Sequence, residues 1–166
     1  MSETTIRPGR AQDLPALVEI YNHYVRHTPT TFDVEPYTVA QRRPWLESFA
    51  GTGRYRLLVA ERDGAVVGYS CTHRFRVKAA YDTSVESSVY LAPAAAGAGL
   101  GSALYTALFD LVRDEDIHLV MAGITLPNDA SIALHRRFGF ESCGVMREVG
   151  RKFDRYWSVE WLQKKL

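Results

Sequence analysis

The segment Val89 to Leu108, VYLAPAAAGAGLGSALYTAL, dictates a strand, a tight loop and a helix in immediate succession. An apolar strand end runs through Pro93 into a loop holding Gly97, Gly99 and Gly101, and a helix-forming run follows. Glycines at such a junction let the backbone approach a ligand closely, and the first N–H groups of the helix have no partner inside it. With the positive end of the helix dipole, those donors form a site for an anion, above all a phosphate. The bland alternative is a flexible loop and nothing more. A Walker loop is excluded, since Gly101 is followed directly by Ser102 with no lysine between. The spacing Gly97-x-Gly99-x-Gly101 also misses the GxGxxG of a dinucleotide fold, and it falls mid-chain after several strands.

With 166 residues the chain fits one domain, able to bury a core without metal or disulfide staples. A formal net charge of +1 offers no broad surface for nucleic acid or membrane. Cys71 and Cys143 share no metal-type spacing, so neither a metal site nor a disulfide framework is expected. MSETTIRPGR lacks the apolar core of a signal peptide, and no apolar run is long enough to span a bilayer. The expectation is a soluble, cytoplasmic protein.

Periodicity places a short strand at Thr4 to Arg7, then a helix that Asp13 caps and that buries Leu14, Leu17, Val18, Tyr21, Tyr24 and Val25. Thr28 to Pro36 reads as loop and Thr38 to Phe49 as a helix despite Pro44. Arg56 to Ala60 and Ala65 to Cys71 read as strands joined by a tight turn at Asp63-Gly64. Val85 to Leu91 is a strand, and the helix after the glycine loop carries a core stripe of Leu104, Ala107, Leu108 and Leu111. Leu119 to Leu126 is a strand and Asp129 to Phe138 a helix stopped by Gly139. Strands near Ser142 to Glu148 and Tyr156 to Leu162 complete the order. Antiparallel strands followed by a β-α-β-α unit predict an α+β fold with a mixed sheet, not a doubly wound parallel one.

Strand alternation sets Glu86, Ser88 and Tyr90 on one face, with Val85, Ser87, Val89 and Leu91 on the other. A carboxylate inside a strand is costly unless it finds a partner or faces a wet cleft, so Glu86 is either salt-bridged or functional. Asn128 suits a helix N-cap. His135 follows two turns later on the same face and is either packed or a proton donor. His23 reads as structural.

An ordered set of motifs spans nearly the whole chain: IRPG at Ile6, EIYNHYV at Glu19, TFDVEP at Thr31, VVGYS at Val66 and the Phe75-Arg76 pair. It continues with SVESSVYLAP at Ser84, GAGLG at Gly97, VMAGI at Val120, NDASIALHRRFGF at Asn128 and REVGRKF at Arg147. This set closely resembles the GCN5-related N-acetyltransferases, and within them the phosphinothricin/methionine sulfoximine acetyltransferase group. The resemblance implies a mixed, mostly antiparallel, V-splayed sheet flanked by helices, as one domain over residues 1–166. It implies acetyl-CoA as donor, its pyrophosphate on the backbone of Gly97, Ala98, Gly99, Leu100, Gly101 and Ser102. The main chain of Val89, Tyr90 and Leu91, together with Asn128, would hold the pantetheine arm.

The resemblance also implies direct transfer to the amine of a small amino-acid-like acceptor, such as phosphinothricin, methionine sulfoximine or methionine sulfone. Glu86 would be the base and His135 the acid for the thiolate. Phe75, Arg76, Lys78 and Tyr81, with Glu86, Ser87 and Ser88, would meet the acceptor, partly across a homodimer interface. Lys152 and Arg151 would add positive charge nearby. Two alternatives stay open: another amine as acceptor (a peptide N-terminus, polyamine or aminoglycoside), or an acyl-CoA-binding module without catalysis. One departure is specific. The family usually places Arg or Gln where this chain has Ala96, and often a basic residue at Ala98, so the loop lacks its usual side-chain charge. Loss of one or two charge-assisted hydrogen bonds weakens CoA binding by about 1–2 kcal/mol.

Overall fold

Asp63 and Gly64 both take positive φ, 52° and 77°, the geometry of the tight hairpin turn that this dipeptide favours. The turn joins β2 (Leu57–Arg62) to β3 (Ala65–Arg74), in a computed structural model that describes residues 4–166. β1 (Thr4–Pro8) lies antiparallel on the outer side of β2. β4 (Ser84–Leu91) pairs antiparallel with β3 along its whole length, from Val85 opposite Arg74 to Leu91 opposite Gly68. The glycine loop then leads into α3 (Leu100–Val112), and β5 (Leu119–Thr125) returns parallel to β4. After α4 (Asp129–Arg137), a long hairpin of β6 (Glu141–Lys152) and β7 (Arg155–Lys165) inserts β7 beside β5. The sheet order is β1-β2-β3-β4-β5-β7-β6, with β4/β5 its one parallel pair, so the expected mixed α+β fold is observed.

Helices cover both faces. On one, α3 buries Leu100, Leu104, Tyr105 and Leu108 against Leu58 and Ala60 of β2. On the other, α1 (Leu14–His27) packs Leu17 and Ile20 on Leu57, Val59, Tyr69 and Cys71. The stripe of α3 is rotated from the expected one: Tyr105 and Val112 are buried, whereas Ala107 and Leu111 are half-buried.

Asp13 stands at the N-cap position of α1, but its side chain makes no capping bond. A 3-10 turn, Ala11–Asp13, intervenes, and the Asp13 carboxylate accepts from the Arg10 backbone N–H at 2.7 Å and from both terminal nitrogens of Arg7. That bidentate guanidinium clamp outcompetes a cap. α2 (Val39–Glu47) forms despite Pro44, and its start is held by a reciprocal pair. Thr38 Oγ1 accepts from Gln41 N at 3.2 Å and Gln41 Oε1 accepts from Thr38 N at 2.9 Å. No helix among the described residues is long and apolar enough to cross a membrane.

β4 and β5 pair only from Ser84 to Glu86, opposite Leu119 to Met121. Beyond that, β4 stays with β3 and β5 with β7, so the sheet opens into a V whose apex is Glu86. Residues 87–91 of β4 therefore present an edge with no strand on the β5 side; the Leu91 carbonyl accepts from the Tyr24 hydroxyl at 2.7 Å, and the other backbone groups on that side are open to a ligand.

Candidate active site

The V opens into a cavity of about 540 Å³, reached from both sheet faces and bounded by β3, β4, β5, α1, α2 and α4. Its floor on the α1 side is the pleat that β3 and β4 share. Tyr69, Cys71 and His73 alternate there with Tyr90, Ser88 and Glu86, their register partners. The alternation read from sequence holds: Val85 and Val89 pack toward α3, and Glu86 faces the cavity.

Glu86 makes no ion pair among the described residues. Burial raises its pKa to about 7, with a counteracting pull from the positive charge of Arg76. A carboxylate poised near neutrality inside a cleft can act as a general base. Across from it, His73 is held below its usual pKa by burial and places Nε2 3.3 Å from Ser88 Oγ. Cys71 is the next residue of β3 on this face, opposite Ser88, and burial pushes its thiol up to about 12, so it stays protonated and a poor nucleophile at neutral pH.

Ser87 points the other way, with Oγ 3.2 Å from the Tyr105 hydroxyl, which lies 2.9 Å from His135 Nε2. His135 is only 3% exposed, and its Nδ1 is 2.7 Å from the Ser131 carbonyl. A carbonyl can only accept, so the proton sits on Nδ1 and Nε2 accepts from Tyr105. Burial keeps the ring neutral. His135 is thus committed at both nitrogens, and it reaches the cavity together with Tyr105. Asn128 caps α4 as expected, with Oδ1 accepting from Ser131 N at 3.2 Å, and lines the cavity as well.

The glycine loop stands before α3. Gly97 and Gly99 take φ of +83° and +74°, conformations that favour glycine, and the space where each Cβ would stand is open. Gly99 is the N-cap residue and no side chain caps the helix, which leaves the N–H groups of its first turn available to a ligand. Gly101 lies within α3. From α4, Arg137 reaches Ser102 Oγ at 3.0 Å, bringing a cation to this end of α3.

The β3–β4 connection is assembled differently from the sequence expectation. Phe75 stacks edge-on to Tyr81 at 6.0 Å and to Trp161 at 5.7 Å, and Arg76 lies 4.8 Å over Phe75. Lys78 precedes a 3-10 turn, its carbonyl accepting from Tyr81 N at 2.9 Å. None of these four lines the cavity within one copy of the chain, whereas His73 and Arg74 do. Lys152 is buried, with Nζ 2.8 Å from the Thr31 carbonyl, so it anchors the loop before α2 and its charge is spent there. Arg151 is exposed and pairs with Asp154, away from the site. Adjacent residues of a strand face opposite sides, which exposes Arg151 and buries Lys152.

Residues 17–140 match the model of the acetyltransferase (GNAT) family, and the chain belongs to that family. It is 52% identical over 167 aligned positions to a phosphinothricin N-acetyltransferase of Streptomyces coelicolor, covering 99% of this chain and 98% of that protein. It is 38% identical over 162 positions to an L-methionine sulfoximine/L-methionine sulfone acetyltransferase of Salmonella typhimurium, covering 98% and 94%. Among solved structures it superposes on YncA of Salmonella typhimurium, solved with acetyl-CoA, with a TM-score of 0.93 and 37% identity, covering 99% of this chain and 95% of that one. The chain is an N-acetyltransferase.

Proposed function

We propose that the protein transfers an acetyl group from acetyl-CoA to the α-amine of a small amino-acid-like acceptor, of the phosphinothricin or methionine sulfoximine type. The observation that carries this reading is Glu86, a cavity carboxylate with a pKa near 7 at the point where the sheet parts. The chain's own residues fit the donor. An uncapped helix N-terminus with two left-handed glycines suits a pyrophosphate, and the open edge of β4 offers peptide groups to an amide-bearing arm. When bound, the donor supplies an activated acetyl thioester at the apex of the V.

Glu86 draws a proton from the acceptor ammonium, directly or through water, and leaves an amine able to attack the thioester carbonyl. A backbone N–H on the free edge near Val89 to Leu91 stabilises the charge that develops on the carbonyl oxygen. Water in the cleft returns a proton to the thiolate, and the proton that Glu86 took up goes back to solvent. The Tyr105 hydroxyl, its pKa raised by burial, spends its one proton on His135 Nε2, so this pair shapes the end of the cavity. His135 is in this reading structural and not the acid. The protonated Cys71 favours direct transfer in a ternary complex, and an acetyl group trapped on Cys71 or Cys143 would overturn that route.

The test is a panel of amines read by free-thiol release. Methionine sulfone, methionine sulfoximine and phosphinothricin are expected to turn over, while spermidine and an aminoglycoside are not. Thiol release with the cationic amines alone would overturn the acceptor assignment.

The missing charge at Ala96 and Ala98 is made up in part by Arg137. Replacing Arg137 with Ala is expected to raise the KM for acetyl-CoA by about 5- to 20-fold, the worth of one charge-assisted contact, with little change in kcat. Arg at both Ala96 and Ala98 should lower that KM. An unchanged KM in both variants would remove side-chain charge from donor recognition.

The homodimer belongs to the same proposal. β6 is an outermost strand, exposed on both faces over most of its length, and the hairpin shows Val145, Met146, Val149, Phe153 and Tyr156 to solvent. Such an edge suits a second copy of the chain. That partner would bring the Phe75–Tyr81 connection to an acceptor site, which one copy alone does not do.

A further inference from the structure

Arg42 of α2 has no partner for its charge. Its guanidinium lies over three rings, 4.4 Å from Tyr21, 5.1 Å from Tyr37 and 4.3 Å from Trp45. Among the described residues it makes neither an ion pair nor a side-chain hydrogen bond, whereas Arg7, Arg54, Arg56 and Arg74 are each paired with a carboxylate. The acidic residue on that side, Asp33, is taken by the Tyr21 hydroxyl, which donates to it at 2.5 Å. Aromatic rings satisfy the flat face of a guanidinium and leave its N–H fork unused.

Arg42 is half-buried and lines the same cavity as Glu86. Cys71 on the floor lies within the field of both groups, and His73 and Tyr90 also feel Arg42. The cavity lining thus holds both a base, Glu86, and an unpaired planar cation, Arg42. A free α-amino acid has the matching polarity, an ammonium and a carboxylate on one carbon. Of the other arginines nearby, Arg74 binds Asp82 and the carbonyls of Arg76 and Val77, while Arg76, also stacked on rings at Phe75 and Tyr81, does not line the cavity.

We propose that Arg42 is the carboxylate anchor of the acceptor site, gripping the free α-carboxylate through its fork while Glu86 faces the α-ammonium. The assignment rests on the acetyl-acceptor reading above and narrows it. Amines without an adjacent carboxylate, including peptide N-termini whose carboxyl is tied up as an amide, leave the fork empty and are poor acceptors. The competing role for Arg42 is cement between α1 and α2, stacked among rings.

The two roles separate in an experiment on the full chain with methionine sulfone and its α-carboxamide as paired acceptors. Wild type is expected to favour the acid. Arg42→Gln should raise the KM for the acid by about 10- to 100-fold, the loss of a bidentate charged contact. It should leave kcat/KM for the carboxamide and the KM for acetyl-CoA within about twofold, on the scale of an uninvolved surface change. Arg42→Lys keeps charge and stacking but not the fork, and it should fall between the two. It also serves if the Gln variant does not fold. Equal losses for acid and carboxamide in either variant, or none for either, would overturn the anchor. Calorimetric titration of the same pair keeps this distinct from the acetylation reading. If wild type binds the acid selectively, loses it in Arg42→Lys and acetylates neither, the anchor stands and the acceptor assignment falls. If wild type acetylates both equally, the acetylation stands and the anchor falls.

Discussion

Glu86→Gln is expected to lower kcat by about 10²- to 10⁴-fold, the range of a lost general base. Acetyl-CoA binding should change little, because Glu86 stands at the apex of the V and not on the glycine loop. The pH profile carries the sharper expectation. A base works when deprotonated, so wild-type kcat/KM should rise with pH through about 7, the pKa that burial sets for this carboxyl. The Gln variant should lack that limb. Stability moves in the opposite sense. The folded pKa of about 7 lies above the ordinary glutamate value of 4.5, so the folded state holds the proton more tightly in that window. As pH rises from 4.5 to 7 the carboxylate therefore costs stability, on the order of 3 kcal/mol at full ionisation. Above pH 7 the Gln variant should melt no lower than wild type. A variant that keeps both its turnover and its alkaline limb would remove Glu86 from the base role.

Glu86 was legible because a lone carboxylate in an apolar strand contradicts its surroundings, and the strand period fixes its face. The glycine loop was legible for a similar reason, since two glycines before a helix signal left-handed backbone. His73, Arg74 and Arg42 were not, because the register of β3 on β4 and the packing of α2 on α1 decide what they face. Neither is encoded in local periodicity. Tyr105 sits one residue from the expected stripe of α3, and only the direction from which β4 and α4 approach shows that it meets Ser87 and His135. The β6/β7 hairpin ran longer than expected because its turn, Phe153-Asp154, reaches positive φ without a glycine to announce it. Asp13 looked like a cap by type and position, and a distant arginine, Arg7, claimed it.

Gly99→Val should abolish saturable acetyl-CoA binding in the range where wild type saturates, an expected loss of about tenfold or more. Gly99 has φ of +74° and is the N-cap of α3. A β-branched residue is a genuine outlier there, and the left-handed conformation costs it roughly 1–2 kcal/mol or more. Apart from its two chain neighbours, no described atom lies within 4 Å of the position of the added Cβ, so core packing gives no reason for the chain to reject the side chain. The penalty is met instead by the loop relaxing away from positive φ, which turns the first N–H groups of α3 off their common focus. The isopropyl group also fills the space that a phosphate needs to reach those donors. Gly64→Val supplies the control, since it breaks a positive-φ glycine with open surroundings in the β2/β3 turn, outside the glycine loop. Both variants should lose comparable stability in thermal melts, while only Gly99→Val loses the stabilisation that added acetyl-CoA gives wild type. Equal ligand-induced stabilisation in the two would place the pyrophosphate elsewhere.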